Sequence, residues 1–354
     1  MLYRESGQFK TSYVRDQAIF PIAQDRWGLF LLLLFAAVGV PLIANEYWLG
    51  SILIPFLIFS LAALGLNLLT GYAGQLSLGT AGFMAVGAFA TYNLVVRIPE
   101  MPILLAFVLA GLIAAGVGLL FGLPSLRIKG FYLAVATLAA QFTIEWVLTS
   151  FGWFTNYDAS GVISAPPIVI LGYAFDTAVS RYLLTLGIVV LLALVAKNLV
   201  RGAIGRSWMA VRDMDVAAEV IGIRLYRTKL LAFAVSSFYC GIAGALWAFL
   251  YLGTVEPQAF DLNRSFQVLF MIIVGGLGSI LGSFLGAAFI VLLPILLNNA
   301  AVLLGGQVRA DTLSNLELIV FGGLIVFFLI VEPHGLARLW QIAKEKLRLW
   351  PFPY

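Results

Sequence analysis

The sequence predicts an all-α fold: a polytopic membrane helical bundle of about ten membrane segments, some broken or re-entrant, with both termini in the cytoplasm. Three observations carry that expectation. Hydrophobic residues make up 62% of the 354 and charged residues 11%, and the mean hydropathy is +1.02, so polar surface is too scarce to cover a soluble globule of this length. The apolar residues fall into runs near the ~20 residues that cross a bilayer. The Lys and Arg residues collect in a few of the connections, which orients the bundle.

In chain order, residues 1–26 are polar and aromatic and read as a cytoplasmic segment. They lack the charged start, apolar core and small-residue cleavage site of a removable signal. The transmembrane domain is expected over 27–332 and a basic cytoplasmic tail over 333–354. Apolar segments run over 27–44, 52–69, 76–96, 103–123, 131–151, 182–196 and 230–252, with GYAGQ (71–75) separating the second from the third. The loop 152–181, rich in aromatic residues, Pro and Gly, is expected on the periplasmic side. The run 265–297 is too long for one upright helix and is cut by GGLGSILG (275–282). A single crossing there, followed by a last span near 316–331, would leave the basic tail outside. Parity therefore favours a hairpin, either as two helices or as a re-entrant half-helix beside eight full crossings.

Charge bias sets the sidedness. Arg4, Lys10, Arg15 and Arg26 precede the first segment, Arg127 and Lys129 follow the fourth, and Arg338, Lys344, Lys346 and Arg348 close the chain. These are expected in the cytoplasm, and the cation-poor connections 45–50, 97–102, 152–181 and 253–264 outside. The stretch 197–229 is the one long charge-rich interruption, with Lys197, Arg201, Arg206, Arg212, Arg224, Arg227 and Lys229. Within it a short helix is expected over 216–221, capped by Asp213 or Asp215 and stopped by Gly222, with Glu219 near its positive end. Two turns are marginal alone in water, and Ala217, Ala218, Val220 and Ile221 give this helix an apolar side in need of cover. A cytoplasmic docking loop for a partner protein is the expectation; an ordinary solvated face is the alternative.

Several residues inside the apolar spans could carry function. Asn67, Gln75, Ser77, Thr80, Gln141 and Glu145 are polar groups in or beside membrane segments, and Glu145 is ionisable. Such groups face a bundle interior or a wet cavity, line a path or bond between helices; Glu145 could instead reach the outer interface. Gln75, Ser77 and Thr80, beside the glycine break, are the better candidates for a path. The breaks TGYAGQLSLG (70–79) and VGGLGSILGS (274–283) echo one another, with Gly71 over Gly275 and Gly74 over Gly278. Small residues at four-residue spacing, Ala114, Gly118 and Gly122, then Gly278, Gly282 and Gly286, read as helix-packing rows and make a same-membrane partner plausible. Glu256, Asp261 and Arg264 around Pro257 read as a capped turn or an external contact.

Other chemistries are excluded or unsupported. Cys240 and His334 are single, so the chain has no intrachain disulfide and no Cys/His set for zinc or an iron–sulfur cluster. Cys240, among apolar neighbours, reads as a buried small residue. No GxxxxGK[ST] loop occurs, and no nucleic-acid module is visible. No catalytic residue, metal site or cofactor is expected in the chain itself. A secondary transporter or channel acting without ATPase subunits is the competing reading, although that class more often carries several buried charges.

Four stretches, LNLLTGYAGQLSLGTAGFMAVGAF (66–89), IKGFYLAVATLA (128–139), GRSWMAVRDMDVAAEVIGI with TKLLAFAVSS (205–237), and GGLGSILGSFLGA (275–287), together resemble the LivM-like permease subunit of branched-chain amino-acid ABC importers. The resemblance implies a non-enzymatic subunit of the bacterial inner membrane. It implies pairing with a second homologous permease subunit, two cytoplasmic ATPase subunits that bind ATP and Mg, and a periplasmic substrate-binding protein, with membrane lipid around it. Carried over residue by residue, the ATPase-coupling set is Arg212, Asp213, Ala217, Ala218, Glu219 and Gly222. The translocation set is Asn67, Gly74, Gln75, Ser77, Gly79, Thr80, Gln141 and Glu145. Here AAExxG stands where other importers carry an EAA-type docking sequence. Branched-chain amino acids or related small polar solutes are the implied cargo.

Overall fold

A computed structural model of the chain describes residues 11–12, 23–125, 131–158, 161–170, 172–303 and 335–349, with scattered positions between 319 and 330. Arg127 and Lys129, the last expected span and most of residues 1–26 lie wholly or largely outside them. The helices are α1 (Ala23–Leu34, continued through a π-helical turn to Ile43), α2 (Ile54–Asn67), α3 (Thr80–Arg97), α4 (Ile103–Ser125) and α5 (Phe131–Ser150). They continue with α6 (Ala178–Arg201), α7 (Ala203–Asp213), α8 (Asp215–Val220), α9 (Leu225–Leu246), α10 (Leu262–Gly275), α11 (Ile280–Leu303) and α12 (Gly335–Leu349). Helix α2 is entered through the π turn Trp48–Leu53 and left through another, Leu68–Tyr72; α9 runs on into Trp247–Leu252.

Among the described residues seven helices are long and apolar enough to cross a membrane, spanning Arg26–Ile43, Trp48–Tyr72, Ile103–Leu123, Tyr132–Ser150, Ala178–Arg201, Leu225–Leu252 and Ile280–Asn299. Helix α3, diluted by Thr80, Thr91, Asn93 and Arg97, and the 14-residue α10 stand outside that set. Both are nevertheless packed into the core. The expected third segment, from 76, starts as a helix only at Thr80, because residues 74–79 stay irregular. The run 265–297 divides into α10 and α11. A Cβ on Gly275 would collide with the Gly282 carbonyl and one on Gly286 with the Met271 carbonyl. As the residue number rises on one helix it falls on the other, so the two form an antiparallel hairpin.

Helix α9 is the hub of the bundle. Lipid gives no apolar push between helices, so close approach must come from small residues that let backbones touch. Gly122 packs on Phe233, Gly118 on Ser237, and Ala114 on Gly241, which sets α4 antiparallel along α9. A Cβ on Gly87 would strike the Gly241 carbonyl, and one on Gly244 the Met84 carbonyl, so α3 crosses α9 at backbone contact. The expected packing row on α4 is therefore used within this chain rather than kept for a partner. Helix α1 lies apart, with none of its apolar window buried; the Tyr182 hydroxyl of α6 donates to its Ala36 carbonyl at 3.0 Å.

The all-α expectation needs one amendment. Loop 152–181 carries three two-residue strands, β1 (Ile163–Ser164), β2 (Val169–Ile170) and β3 (Tyr173–Ala174). β2 and β3 form a hairpin, while β1 pairs antiparallel with β4 (Thr254–Val255), Ile163 opposite Val255 and Ser164 opposite Thr254. Beyond β4, the Asp261 carboxylate caps α10 by accepting from the Arg264 N–H at 3.0 Å. Arg264 turns inward over Trp247, 5.1 Å from the ring centre, and over Phe59 at 5.4 Å. These groups make the capped turn.

Gly87→Val adds branched bulk where two backbones meet and is expected to cost at least about 1–3 kcal/mol. Gly116→Ala, with nothing within 4 Å of its new methyl, is expected to be neutral or slightly stabilising. Thermal unfolding of the detergent-solubilised protein compares them.

Candidate functional site

The sequence places glycines at two breaks, and the fold brings the breaks together. When α2 stops inside the bundle, its last carbonyls lose their helical partners. The π turn Leu68–Tyr72 is the region where this happens. On one side stands Asn67, fully buried: its Nδ2 donates to the Ser279 carbonyl at 2.8 Å and the Ser283 hydroxyl at 2.9 Å, and its Oδ1 accepts from the Gly278 N–H at 2.9 Å. One amide thus fastens α2 across the turn between α10 and α11. Gly71 and Gly278 lie so close that a Cβ on Gly71 would overlap the Gly278 nitrogen. Gly278 has φ +73° and Gly276 φ +117°, values that favour glycine.

On the other side arrives Arg212, the penultimate residue of α7. Its Nη1 donates to the Gly71 carbonyl at 2.9 Å, and its Cγ and Cβ lie against Gly74 (φ +69°), where any side chain would clash. A Cβ on Gly278 would be 3.3 Å from the same Nη1. The carboxyl ends of α2 and α10 both converge here, each carrying roughly half a negative charge, so a cation is the favoured occupant. Asp213 takes the rest of the guanidinium, accepting from Nε at 2.8 Å and from Nη2 at 2.8 Å.

Helix α7 has a firm seat. Trp208 is fully buried, and its Nε1 donates to the Thr228 carbonyl at 3.1 Å. The expected short helix follows as α8, shifted by one residue. Neither aspartate caps it: Met214 occupies the cap position, Asp213 is held by Arg212, and Lys229 stands 4.0 Å from Asp215. Its end is as expected. Gly222 has φ +91°, its N–H donates to the Glu219 carbonyl at 2.9 Å, and the Ile223 N–H donates to Ala218 at 3.0 Å; this paired closure needs a left-handed residue. Ala218 faces inward and is buried, whereas Val220 is 83% and Ile221 73% exposed, with Met214 and Val216 beside them. Of the expected coupling set, Arg212 and Ala218 turn toward the bundle; Asp213, Ala217, Glu219 and Gly222 stay at the surface. Missed from sequence were α7 itself, Trp208 and the exposed Met214.

The translocation set divides. Gln75, Ser77, Gly79, Thr80 and Gln141 gather at the start of α3, enclosed by α5 and α10. Side chains take up N–H groups at and just before that start: Ala81 donates to the Ser265 hydroxyl at 2.8 Å, Gly82 to Gln141 Oε1, and Leu78 to the Thr137 hydroxyl at 2.9 Å. Gln141 Nε2 donates to the Phe260 carbonyl at 2.9 Å. A Cβ on Gly79 would come 2.6 Å from the Thr137 carbonyl. Ser77 accepts from the Gly79 N–H at 3.4 Å. Both amide atoms of Gln75 and the Thr80 hydroxyl are buried without a hydrogen-bond partner. Asn67 and Gly74 belong instead to the first junction. Glu145, one turn beyond Gln141 on α5, is half-buried between the exposed Thr143 and Trp146. Among the described residues no group of His, Cys, Asp and Glu could hold a metal ion.

The helix near the end of the chain also reports on the junction. Gly335, which opens α12, sits against the Val274 carbonyl and Gly276. The basic tail helix and the Arg212 loop therefore lie at the same end of the bundle.

Apolar spans packed by small residues, broken helices sealed by side chains, and a charged loop pinned to those breaks define a polytopic membrane protein of the transport-subunit class. Residues 48–329 match the family model described as the permease component of the branched-chain amino acid transport system, and the chain belongs to that family. It is 30% identical over 334 residues to the high-affinity branched-chain amino acid permease protein LivM of Salmonella typhimurium, covering 87% of this chain and 74% of that one. A probable LivM of Methanocaldococcus jannaschii is 26% identical, with 81% and 92% covered. The autoinducer 2 import permease LsrC of Klebsiella pneumoniae matches only 30% of the chain, at 34% identity. No solved structure matches it. The chain is thus a permease component of an ABC importer, and membership implies ATPase and binding-protein partners.

Asn67→Leu keeps the volume and removes the latch, leaving the Gly278 N–H without its acceptor and the Ser279 carbonyl with the Ser283 donors alone. The expected loss is about 1–2 kcal/mol, read as a lowered unfolding temperature of the purified protein.

Proposed function

We propose that this chain is one of two homologous membrane subunits of a bacterial inner-membrane importer for branched-chain amino acids or related small polar solutes. A periplasmic binding protein delivers the solute, and two cytoplasmic ATPases that bind ATP and Mg drive the cycle. About ten membrane segments, with α3, α10 and the last span counted beside the seven long ones, put both termini in the cytoplasm. The family's membership argues against a secondary transporter.

One observation carries the mechanism: Arg212 belongs to the hydrophilic loop yet bonds into the break of α2 at a point shared with the break after α10. The exposed apolar side of α8 supplies the surface for an ATPase subunit, since in water it needs cover. Movement of α8 is passed through α7, anchored by Trp208, to Arg212, and from there to α2 and the α10–α11 hairpin together. The cluster at the start of α3 is the candidate gate on the solute's path. Gln75 and Thr80 hold hydrogen-bonding capacity there that the protein leaves unused, which a polar solute can take up when the helices part.

Arg212→Ala is expected to cut ATP-driven uptake by reconstituted complex at least about tenfold, the effect of losing one charge-assisted hydrogen bond of about 1.5–3 kcal/mol, while the ATPases remain bound. Val220→Asp is expected to release the ATPases on purification. Normal uptake by Arg212→Ala overturns the coupling route. Sidedness is read with a Glu219→Cys variant, because Glu219 is exposed where Ala218 is not. A maleimide that cannot cross membranes is expected to label it in inverted vesicles and not in intact cells.

A further inference from the structure

Beyond the start of α3, helices α3, α4 and α5 enclose a cavity of about 510 Å³ whose wall is hydrocarbon: Val86, Phe89, Val117, Phe121 and Val147 among others. Thr143 also lines it, but its hydroxyl donates to the Ala139 carbonyl of its own helix at 2.8 Å. A zwitterionic amino acid would find nothing along this wall to bond its ammonium group.

The polar groups sit at one end. Arg97 closes α3 there: its Nε donates to Asn93 Oδ1 at 2.8 Å and its Nη2 to the Trp153 carbonyl at 2.7 Å, with the guanidinium 4.1 Å from the centre of the Trp153 ring. These contacts fix the direction of the cation without neutralising it. Among the described residues no carboxylate pairs with Arg97 and Nη1 has no partner. From Arg97 to Val86 is eleven helical residues, about 16 Å along the axis, close to half the ~30 Å hydrocarbon thickness of a bilayer. A cleft one leaflet deep, apolar throughout, with an aromatic ring and an unneutralised cation at its mouth, has the outline of a phospholipid. Indole rings favour the headgroup level, and a guanidinium binds phosphate through charge-assisted hydrogen bonds.

We propose that this cleft seats one acyl chain of an anionic phospholipid whose phosphate rests on Arg97 and whose glycerol level is marked by Trp153. The lipid belongs to the leaflet on the Arg97 side, which is the outer leaflet in the orientation given above. It fills the space between α4 and α5 and covers the flank of α3, the helix whose start forms the candidate gate.

The test uses the full importer complex in nanodiscs with trace phosphatidylglycerol carrying a photoreactive diazirine at the end of one acyl chain, and the same label on phosphatidylcholine for comparison. Labelling is expected on peptides of α3 to α5 lining the cleft, with phosphatidylglycerol about fivefold ahead, the ratio that about 1 kcal/mol of exposed charge pairing produces. Arg97→Gln is expected to erase the headgroup preference. Val117→Trp fills the cleft without touching Arg97 and is expected to abolish the labelling, so the result does not hang on the folding of one variant. Labelling spread over the outer faces of α1, α4 and α6 and unchanged by Val117→Trp overturns the proposal. So does a disulfide between Val117→Cys and a cysteine placed in another membrane subunit, with no lipid label in the cleft. Neither result depends on whether Arg212 couples the ATPases.

Discussion

A helix interrupted inside an apolar medium leaves carbonyls on one piece and N–H groups on the next, with no water at hand to take them. The whole arrangement of this permease follows from how those groups are served. At the end of α2 the Gly71 carbonyl is taken by Arg212, and the turn after α10 is served by Asn67. At the start of α3 the N–H groups go to Ser265 and Gln141. Each break is closed by a side chain from an element distant in sequence, and that requirement draws α5, α7, α10 and α11 onto the broken ends of α2 and α3.

The two sets of closures differ in kind. Arg212 reaches its carbonyl from the polar end of the bundle and shares its charge with the exposed Asp213. Such a bond can be broken and remade with water nearby, so its loss costs little more than its own strength. Asn67 and Gln141 are neutral amides buried among helices, and opening them exposes unserved groups to hydrocarbon. A tie suited to switching therefore stands beside ties suited to holding. The loop bearing the first is clamped by Trp208, so the guanidinium cannot drift independently of α7.

How much was legible in the chain varies with the kind of signal. Long apolar runs and clustered cations are local properties, and the seven strongest spans, the hairpin at 275–282 and the stop at Gly222 follow from them. The glycine echo was visible as a pattern, but not that Gly71 and Gly278 touch, since that contact joins positions over two hundred residues apart. Asn67 and Gln75 look alike as polar residues beside a break. One proves to be fully bonded and the other unbonded, a difference made entirely by what the fold sets opposite them. Helix α7 escaped notice because its basic and apolar residues read as one charged stretch rather than as two faces.

Composition and periodicity by themselves determined that this chain is a membrane bundle with a hydrophilic insert, because those outcomes depend on the solvent each residue prefers. They also determined where the helices must break, since glycine carries that permission in its own chemistry. Only the tertiary structure decided which break meets which, that an arginine serves one and an asparagine the other, and which polar groups remain unspent. Those are matters of who stands across from whom, and a residue's own preferences contain no information about its neighbour in space.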